Sequence, residues 1–232
     1  MRRVHRSRPH ARTQHRSARP LLPTFLLALL VGLGLVAVPG PAQAATYSAP
    51  VGQAIADLPV ATESRTGYDR DLFKHWVDAD GDGCSTRNEV LIAEADDAPS
   101  VGSSCALTGG RWFSYYDATS YTSASSLDID HMVPLAEAWD SGASGWTPAR
   151  REAFANDLGE DYSLIAVSAA TNRSKGDQDP AEWMPPAGYV CRYVTEWVSV
   201  KVRWGLTVDS AERSALTSLA SGCSQTVSVE VY

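Results

Sequence analysis

The stretch Leu127-Asp128-Ile129-Asp130-His131-Met132-Val133-Pro134-Leu135 sets two carboxylates beside an imidazole. Carboxylates are hard oxygen ligands and a neutral imidazole takes a proton near neutral pH, so the set suits metal-assisted hydrolysis. Of the five histidines, His5, His10 and His15 fall in a cationic leader, which leaves His75 and His131. His131 is the candidate base; His75 is read as structural, at a helix edge or the surface. Further along, Asn172-Arg173-Ser174-Lys175-Gly176-Asp177 offers an amide oxygen at Asn172 and, one helical turn later, an ammonium at Lys175. Metal-assisted hydrolysis asks for such parts: a base for water, a cation for developing charge and help for the leaving oxygen.

A second constellation runs from Asp78 to Glu89 and matches the D-x-D-x-D-G-x₅-E calcium loop of an EF-hand. Asp78, Asp80 and Asp82 would give carboxylate oxygens, Gly83 the sharp turn, Cys84 its carbonyl and Glu89 a bidentate carboxylate. Ser85 stands where an aliphatic residue is usual, and no partner loop is visible. The expected ion is Ca²⁺ in a structural role; the plainer reading is an Asp/Gly turn. Cys84, Cys105, Cys191 and Cys223 are an even set in an exported chain, which reads as two disulfides. Three pairings are open, and Cys84–Cys105 with Cys191–Cys223 is preferred because it ties each end locally. Zinc is disfavoured, since the cysteines lack the x₂ spacing of zinc sites.

Several elements must position these groups. Apolar-acid alternation from Leu127 predicts a short strand buried on one face, ended by Pro134, which has no N–H for a ladder. Tyr162 to Val167 is the best second strand. Ser168 to Lys175 reads as a turn entering a short helix, closed by Gly176. Between the strands, Leu135 to Trp139 begins a helix that Ser141-Gly142 ends. Thr147-Pro148 opens another by N-cap and first-turn preference, running through Asn156 to near Gly159. Upstream, Thr46 to about Thr66 is an extended lead-in with a helical turn near Ala54. Asp69 to Val77 has helical spacing, with Leu72, Phe73 and Trp76 on one face. Glu89 to Ala95 is helical and Arg111 to Tyr116 a strand, while Asp96–Gly110 and Tyr121–Ser126 are connections. Two tail helices cover Tyr193–Trp204 and Ser210–Leu219, the latter capped by Asp209 or Ser210.

The first 44 residues read as a secretory signal peptide: seven arginines, an apolar run from Leu21 to Val38, then the small-x-small signal Ala42-Gln43-Ala44. An uncleaved anchor is the competing reading, because the run approaches spanning length. The Arg2-Arg3 pair raises twin-arginine export, but the apolar residues expected after it do not follow closely. The leader holds 7 of the 20 Lys+Arg and none of the 27 Asp+Glu, so the remainder carries 13 basic and 27 acidic side chains, a net −14. That leaves 188 residues for one extracellular domain with a real core. No later segment is apolar enough to span a membrane. Such a charge argues against a tight, charge-driven binder of nucleic acid unless metal ions or a local patch offset the repulsion.

In order, a strand with Asp130-His131, a second strand and a helix with Asn172-x-x-Lys175 resemble the HNH endonucleases, the His-Me-finger or ββα-metal family. The wider run resembles secreted HNH proteins related to the C-terminal domain of GmrSD-type restriction enzymes, with support from Ala136-Glu137-Ala138-Trp139, Ala155-Asn156-Asp157-Leu158 and Asp179-Pro180-Ala181-Glu182-Trp183. The core of the likeness covers roughly Tyr115 to Pro186. The resemblance implies an α+β, mainly helical domain around a ββα-metal finger. It also implies a secreted endonuclease of low sequence specificity. In it, His131 is the base, Asp130 and Asn172 hold Mg²⁺ or Mn²⁺, and Lys175 faces the phosphate. DNA is the expected substrate, RNA is left open, and no protein partner is evident. One departure is Ser163, where many HNH sequences carry an asparagine that orients the histidine; Asn156 is a candidate replacement. The main competing function is a non-catalytic, calcium-stabilised extracellular binding module. A serine or cysteine hydrolase ranks last, for want of a nucleophile-elbow motif.

Overall fold

The computed structural model describes residues 45–232; the expected leader, residues 1–44, lies outside the described residues. In chain order the elements are β1 (Thr46–Pro50), α1 (Val51–Asp57), α2 (Thr86–Ala93), β2 (Ser100–Val101), β3 (Leu107–Thr108), β4 (Trp112–Ser114) and β5 (Thr119–Tyr121). There follow β6 (Leu127–His131), α3 (Leu135–Asp140), α4 (Pro148–Ala155), β7 (Leu164–Ser168), α5 (Ala169–Lys175), α6 (Val190–Trp204), α7 (Ser210–Leu219) and β8 (Thr226–Glu230). The class is α+β. The described strands pair only two by two: β1 with β8, β2 with β3, β4 with β5 and β6 with β7.

The unit that matters is β6, β7 and α5. β6 and β7 run antiparallel with Ile129 opposite Ala166, Asp130 opposite Ile165 and His131 opposite Leu164. Alternation along a strand sends successive side chains to opposite faces. Leu127, Ile129, Leu164 and Ala166 accordingly pack with Val90, Leu91 and Trp112 in a small core. Ile165 and Val167 join the large core, beside Met132, Val133, Tyr116 and the α6 residues Tyr193, Val194 and Trp197. α5 starts directly after β7, where the Ser168 hydroxyl accepts from the Thr171 N–H, and Gly176 ends it with φ 54°. α4 is capped by Thr147, whose side chain accepts from the Arg150 N–H, with Pro148 in the first turn.

The two ends of the described chain are tied together. β1 and β8 form a ladder that sequence patterning did not show. Disulfides join Cys84 to Cys105 and Cys191 to Cys223, the preferred pairing.

Two expectations need correction. Asp69–Val77 is not a helix: only a 3₁₀ turn, Arg70–Leu72, forms there. Phe73 is buried while Leu72 is exposed, and Trp76 takes a left-handed φ of 60°, so the three share no helical face. The helical spacing was real, but the packing of Phe73 against Trp139 and Phe154 overrides it. The calcium-type loop therefore has an exiting helix, α2, and no entering one. The helix read as starting at Glu89 begins earlier, at Thr86.

Candidate active site

Asp130, His131 and Asn172 line one cavity of ≈ 320 Å³, together with Arg70, Pro134, Leu135, Arg173, Gly176 and Asp177. The last residues of β6 bring the acid and imidazole; α5 brings the amide. Sequence reasoning did not single out Arg70, which comes from the 3₁₀ turn in the stretch read as helix. A guanidinium on an exposed turn carries no signal of its destination.

His131 is buried, 6% exposed. Its Nε2 lies 3.0 Å from the Ala155 carbonyl at the end of α4. A carbonyl only accepts, so Nε2 carries the hydrogen and the neutral ring keeps its lone pair on Nδ1. Burial pulls the His131 pKa down to about 3; nearby Arg70, His75 and Lys175 push the same way, against the Ala155 bond. The ring is therefore neutral, as a base must be before it takes a proton. Trp76 and Phe154 flank it, with ring centroids at 5.3 and 6.4 Å. Trp76 holds this place from a backbone conformation that is uncommon for a bulky residue.

Asp130 is buried too, and both of its donors meet the same oxygen: Tyr116 Oη at 2.7 Å and Lys175 Nζ at 2.8 Å from Oδ2. Burial pushes the Asp130 carboxyl up and the Lys175 ammonium down, and the contact between them opposes both shifts. Lys175 is 0% exposed and also donates to the His131 carbonyl at 3.2 Å. This corrects the reading of Lys175 as a phosphate-facing cation. Helical spacing put it on the right face of α5, but its depth makes it the buried partner of Asp130 and of the β6 backbone. Arg70 and Arg173 are the cations that line the cavity.

Asn172 donates from Nδ2 to Asp128 Oδ2 at 3.3 Å. That contact fixes the amide's orientation and leaves Oδ1 as its free acceptor. The donor set on offer, a carboxylate oxygen and an amide oxygen beside open space, suits a hard divalent cation that keeps several waters.

The hydrogen bond on the His131 ring comes from the Ala155 carbonyl, and Ser163 and Asn156 anchor backbone near it. Asn156 accepts from the Val77 N–H at 3.0 Å and the Thr86 hydroxyl at 2.9 Å. It donates to the Lys74 and Glu152 carbonyls, both at 2.8 Å. It thus pins the segment carrying His75 and Trp76 to the end of α4, one residue from the carbonyl that holds His131. Ser163 donates to Asp157 Oδ2 at 2.9 Å, and its carbonyl accepts from the Met132 N–H at 3.1 Å. Asp157 in turn is paired with Arg203 at 2.7 Å. His75, read as structural, is half-buried and donates from Nδ1 to the Phe73 carbonyl at 2.8 Å.

The loop from Asp78 to Glu89 stands apart from this cavity. Asp78, Asp80 and Asp82 bring ligand oxygens within 4.8 Å of one another, and so do Asp82, Cys84 and Glu89 with their ligand atoms. The side chains accept from the loop's own N–H groups, as in Gly83 to Asp78 at 3.0 Å, and Gly83 takes φ 95°. The Cys84 sulfur is engaged in its disulfide, so only its carbonyl is free for an ion.

Comparison with known proteins covers the region that holds this cavity. The family described as GmrSD restriction endonucleases, C-terminal domain, matches residues 92–219, more than half of the chain. That span contains Asp130, His131, Asn172 and Lys175 and begins after the calcium-type loop. An uncharacterized secreted protein of Arthroderma benhamiae is 49% identical over 158 residues, covering 68% of this chain and 76% of that relative. No solved structure matches. Among the described residues no helix is long and apolar enough to cross a membrane. By the matched span and the identity to its relative, the chain belongs to the family of GmrSD restriction endonucleases, C-terminal domain, a nuclease-like family.

Proposed function

We propose that this secreted protein is a metal-dependent endonuclease that hydrolyses phosphodiester bonds in DNA with little sequence preference. The observation that carries the reading is that Asp130, His131 and Asn172, distant in sequence, line a single cavity, with the His131 tautomer set by the Ala155 carbonyl.

The roles follow from the contacts. His131 takes the proton of the attacking water at Nδ1, and the Ala155 carbonyl steadies the imidazolium that results. Asp130 Oδ1 and Asn172 Oδ1 would hold Mg²⁺ or Mn²⁺, and such an ion would supply Lewis-acid stabilisation of the charge that develops on the phosphoryl group. Lys175 and Tyr116 fix the Asp130 carboxylate so that its other oxygen serves as ligand. Arg70 and Arg173 hold the flanking phosphates. The acidic surface disfavours a polyanion, and the ion with these two arginines offsets it locally. No element that reads base edges is evident among the described residues, which supports low specificity. The loop from Asp78 to Glu89 would take Ca²⁺ as a structural ion beside α2.

The test is cleavage of supercoiled plasmid, and of RNA, in Mg²⁺, Mn²⁺, Ca²⁺ and EDTA, with Asn172→Ala alongside. Plasmid nicking in Mg²⁺ or Mn²⁺ that EDTA stops and Asn172→Ala lowers at least about tenfold is the expected result. Folded protein that cuts neither polymer in any metal would leave the calcium-stabilised binding module as the better reading.

A further inference from the structure

A second group of carboxylates belongs to neither the lining of the cavity nor the calcium-type loop. Glu137 and Asp140 sit three residues apart on α3, hence on one face of it. Glu63 reaches them from the extended segment that β-bridges to Val208. One ligand oxygen from each of the three lies within 4.8 Å of the others. Acidic groups gather often without an ion, so closeness alone says little. The partners of these oxygens say more.

Glu63 Oε1 and Asp140 Oδ1 are both buried and accept no hydrogen bond from a donor among the described residues. The Asp140 side chain is only 7% exposed; its other oxygen accepts from Arg65 Nε at 2.7 Å. Glu137 Oε1 accepts from Lys201 Nζ at 2.6 Å and from the Ser141 hydroxyl at 2.6 Å. Each cation is also shared: Lys201 with Glu212 at 2.9 Å, Arg65 with Asp177 at 3.3 Å. Five carboxylates, Glu63, Glu137, Asp140, Asp177 and Glu212, thus meet two cations. Buried carboxylate oxygens without donors are retained where protons or a metal ion complete them.

We propose that Glu63, Glu137 and Asp140 form a further site for a hard divalent cation, which ties the segment before Arg65 to α3. The ligands are all carboxylate oxygens, the chemistry that Ca²⁺ and Mg²⁺ share and that zinc does not prefer. The site adjoins the catalytic cleft through one residue: Arg65 bridges Asp140 to Asp177, and Asp177 lines the cleft.

Calorimetric titration with Ca²⁺ alone at pH 8.5 tests this, on wild-type protein and on Glu63→Gln, Asp140→Asn, Asp82→Asn and Asn172→Ala. Glu63→Gln removes no hydrogen bond and keeps the volume, so it decides the matter if Asp140→Asn, which weakens the Arg65 contact, fails to fold. The expected result is that folded Glu63→Gln binds one Ca²⁺ fewer than wild type. Asp82→Asn and Asn172→Ala keep that ion, whatever they lose elsewhere. A folded Glu63→Gln that binds as many Ca²⁺ as wild type would overturn the site and leave a cluster held by shared protons. The count is independent of any nuclease activity, so this site can fail while the proposed reaction stands, and the reverse.

Discussion

Lys175 shows how burial changes what a charged side chain is for. Its ammonium has no exposure and completes the buried Asp130 carboxylate. Removing one partner of a buried ion pair strands the other, at a cost of about 3–5 kcal/mol. Lys175→Met should therefore lower unfolding stability by that order in urea titration, with metal affinity falling as Asp130 loses its anchor. Arg173→Ala should leave stability within about 0.5 kcal/mol, since its side chain is exposed and its nearest acid, Asp128, is 3.8 Å away. Equal stability losses for the two variants would show that Lys175 is not the buried anchor described. That Asp130, His131 and Asn172 come to one cavity was legible in the sequence, because residue types and spacing are themselves the signal. Lys175 was placed on the right helix face and at the wrong depth, since spacing gives azimuth and not burial. Arg70 and the Ala155 carbonyl were not legible: a backbone group has no residue type, and both reach the site through tertiary packing.

Among the elements, the pieces that hold β6 and β7 are set by contacts of long range. The helix ends were legible in part: Thr147 and Asp209 cap as expected because capping is a local matter, while the Ser168 cap of α5 is a finding of the structure. The Asp69–Val77 segment was misread because the tie that shapes it, Asn156, lies almost eighty residues on. Asn156→Ala would leave the Val77 N–H and the Lys74 carbonyl without their partner. Each lost bond of this kind costs about 1 kcal/mol, more where a group stays buried. A loss of about 2–4 kcal/mol is expected, with faster hydrogen exchange at Val77 and Thr86; unchanged exchange there would show that the segment is held by other contacts. Glu94, at the end of α2, accepts from the Ala166 N–H at 2.8 Å in the middle of β7. Burial pushes its carboxyl up to about 7. The folded state then keeps a proton that the unfolded chain releases, so this contribution is present below about pH 4.5 and is lost as pH rises through 7. Thermal melts should show Glu94→Gln gaining on wild type as pH rises from 4.5 to 8, and a constant difference would show that Glu94 ionises freely in the fold.

For the molecule as a whole, closure of the chain is the main structural device. β1 meets β8, and the Cys191–Cys223 disulfide closes a stretch of 32 residues at the α6 and α7 end. Even count and local spacing made the disulfides legible, whereas the β1–β8 ladder joins segments about 180 residues apart and left no local trace. Replacing Cys191 and Cys223 by serine should cost about 2–4 kcal/mol through freedom regained by the unfolded chain. The loss should appear in denaturant melts, with the cleft residues and metal affinity little changed; a variant as stable as wild type would show that the β1–β8 pairing alone suffices.

The most direct measurement is the single-turnover rate of plasmid cleavage by saturating His131→Ala in Mg²⁺, beside wild type. Both proteins should first be shown to melt cooperatively and to bind the metal alike. With His131 as the base, the variant's rate should fall by about 10²–10⁴-fold. A folded, metal-loaded variant that cuts at the wild-type rate would mean that His131 does not activate the water and that the cleft works by another group.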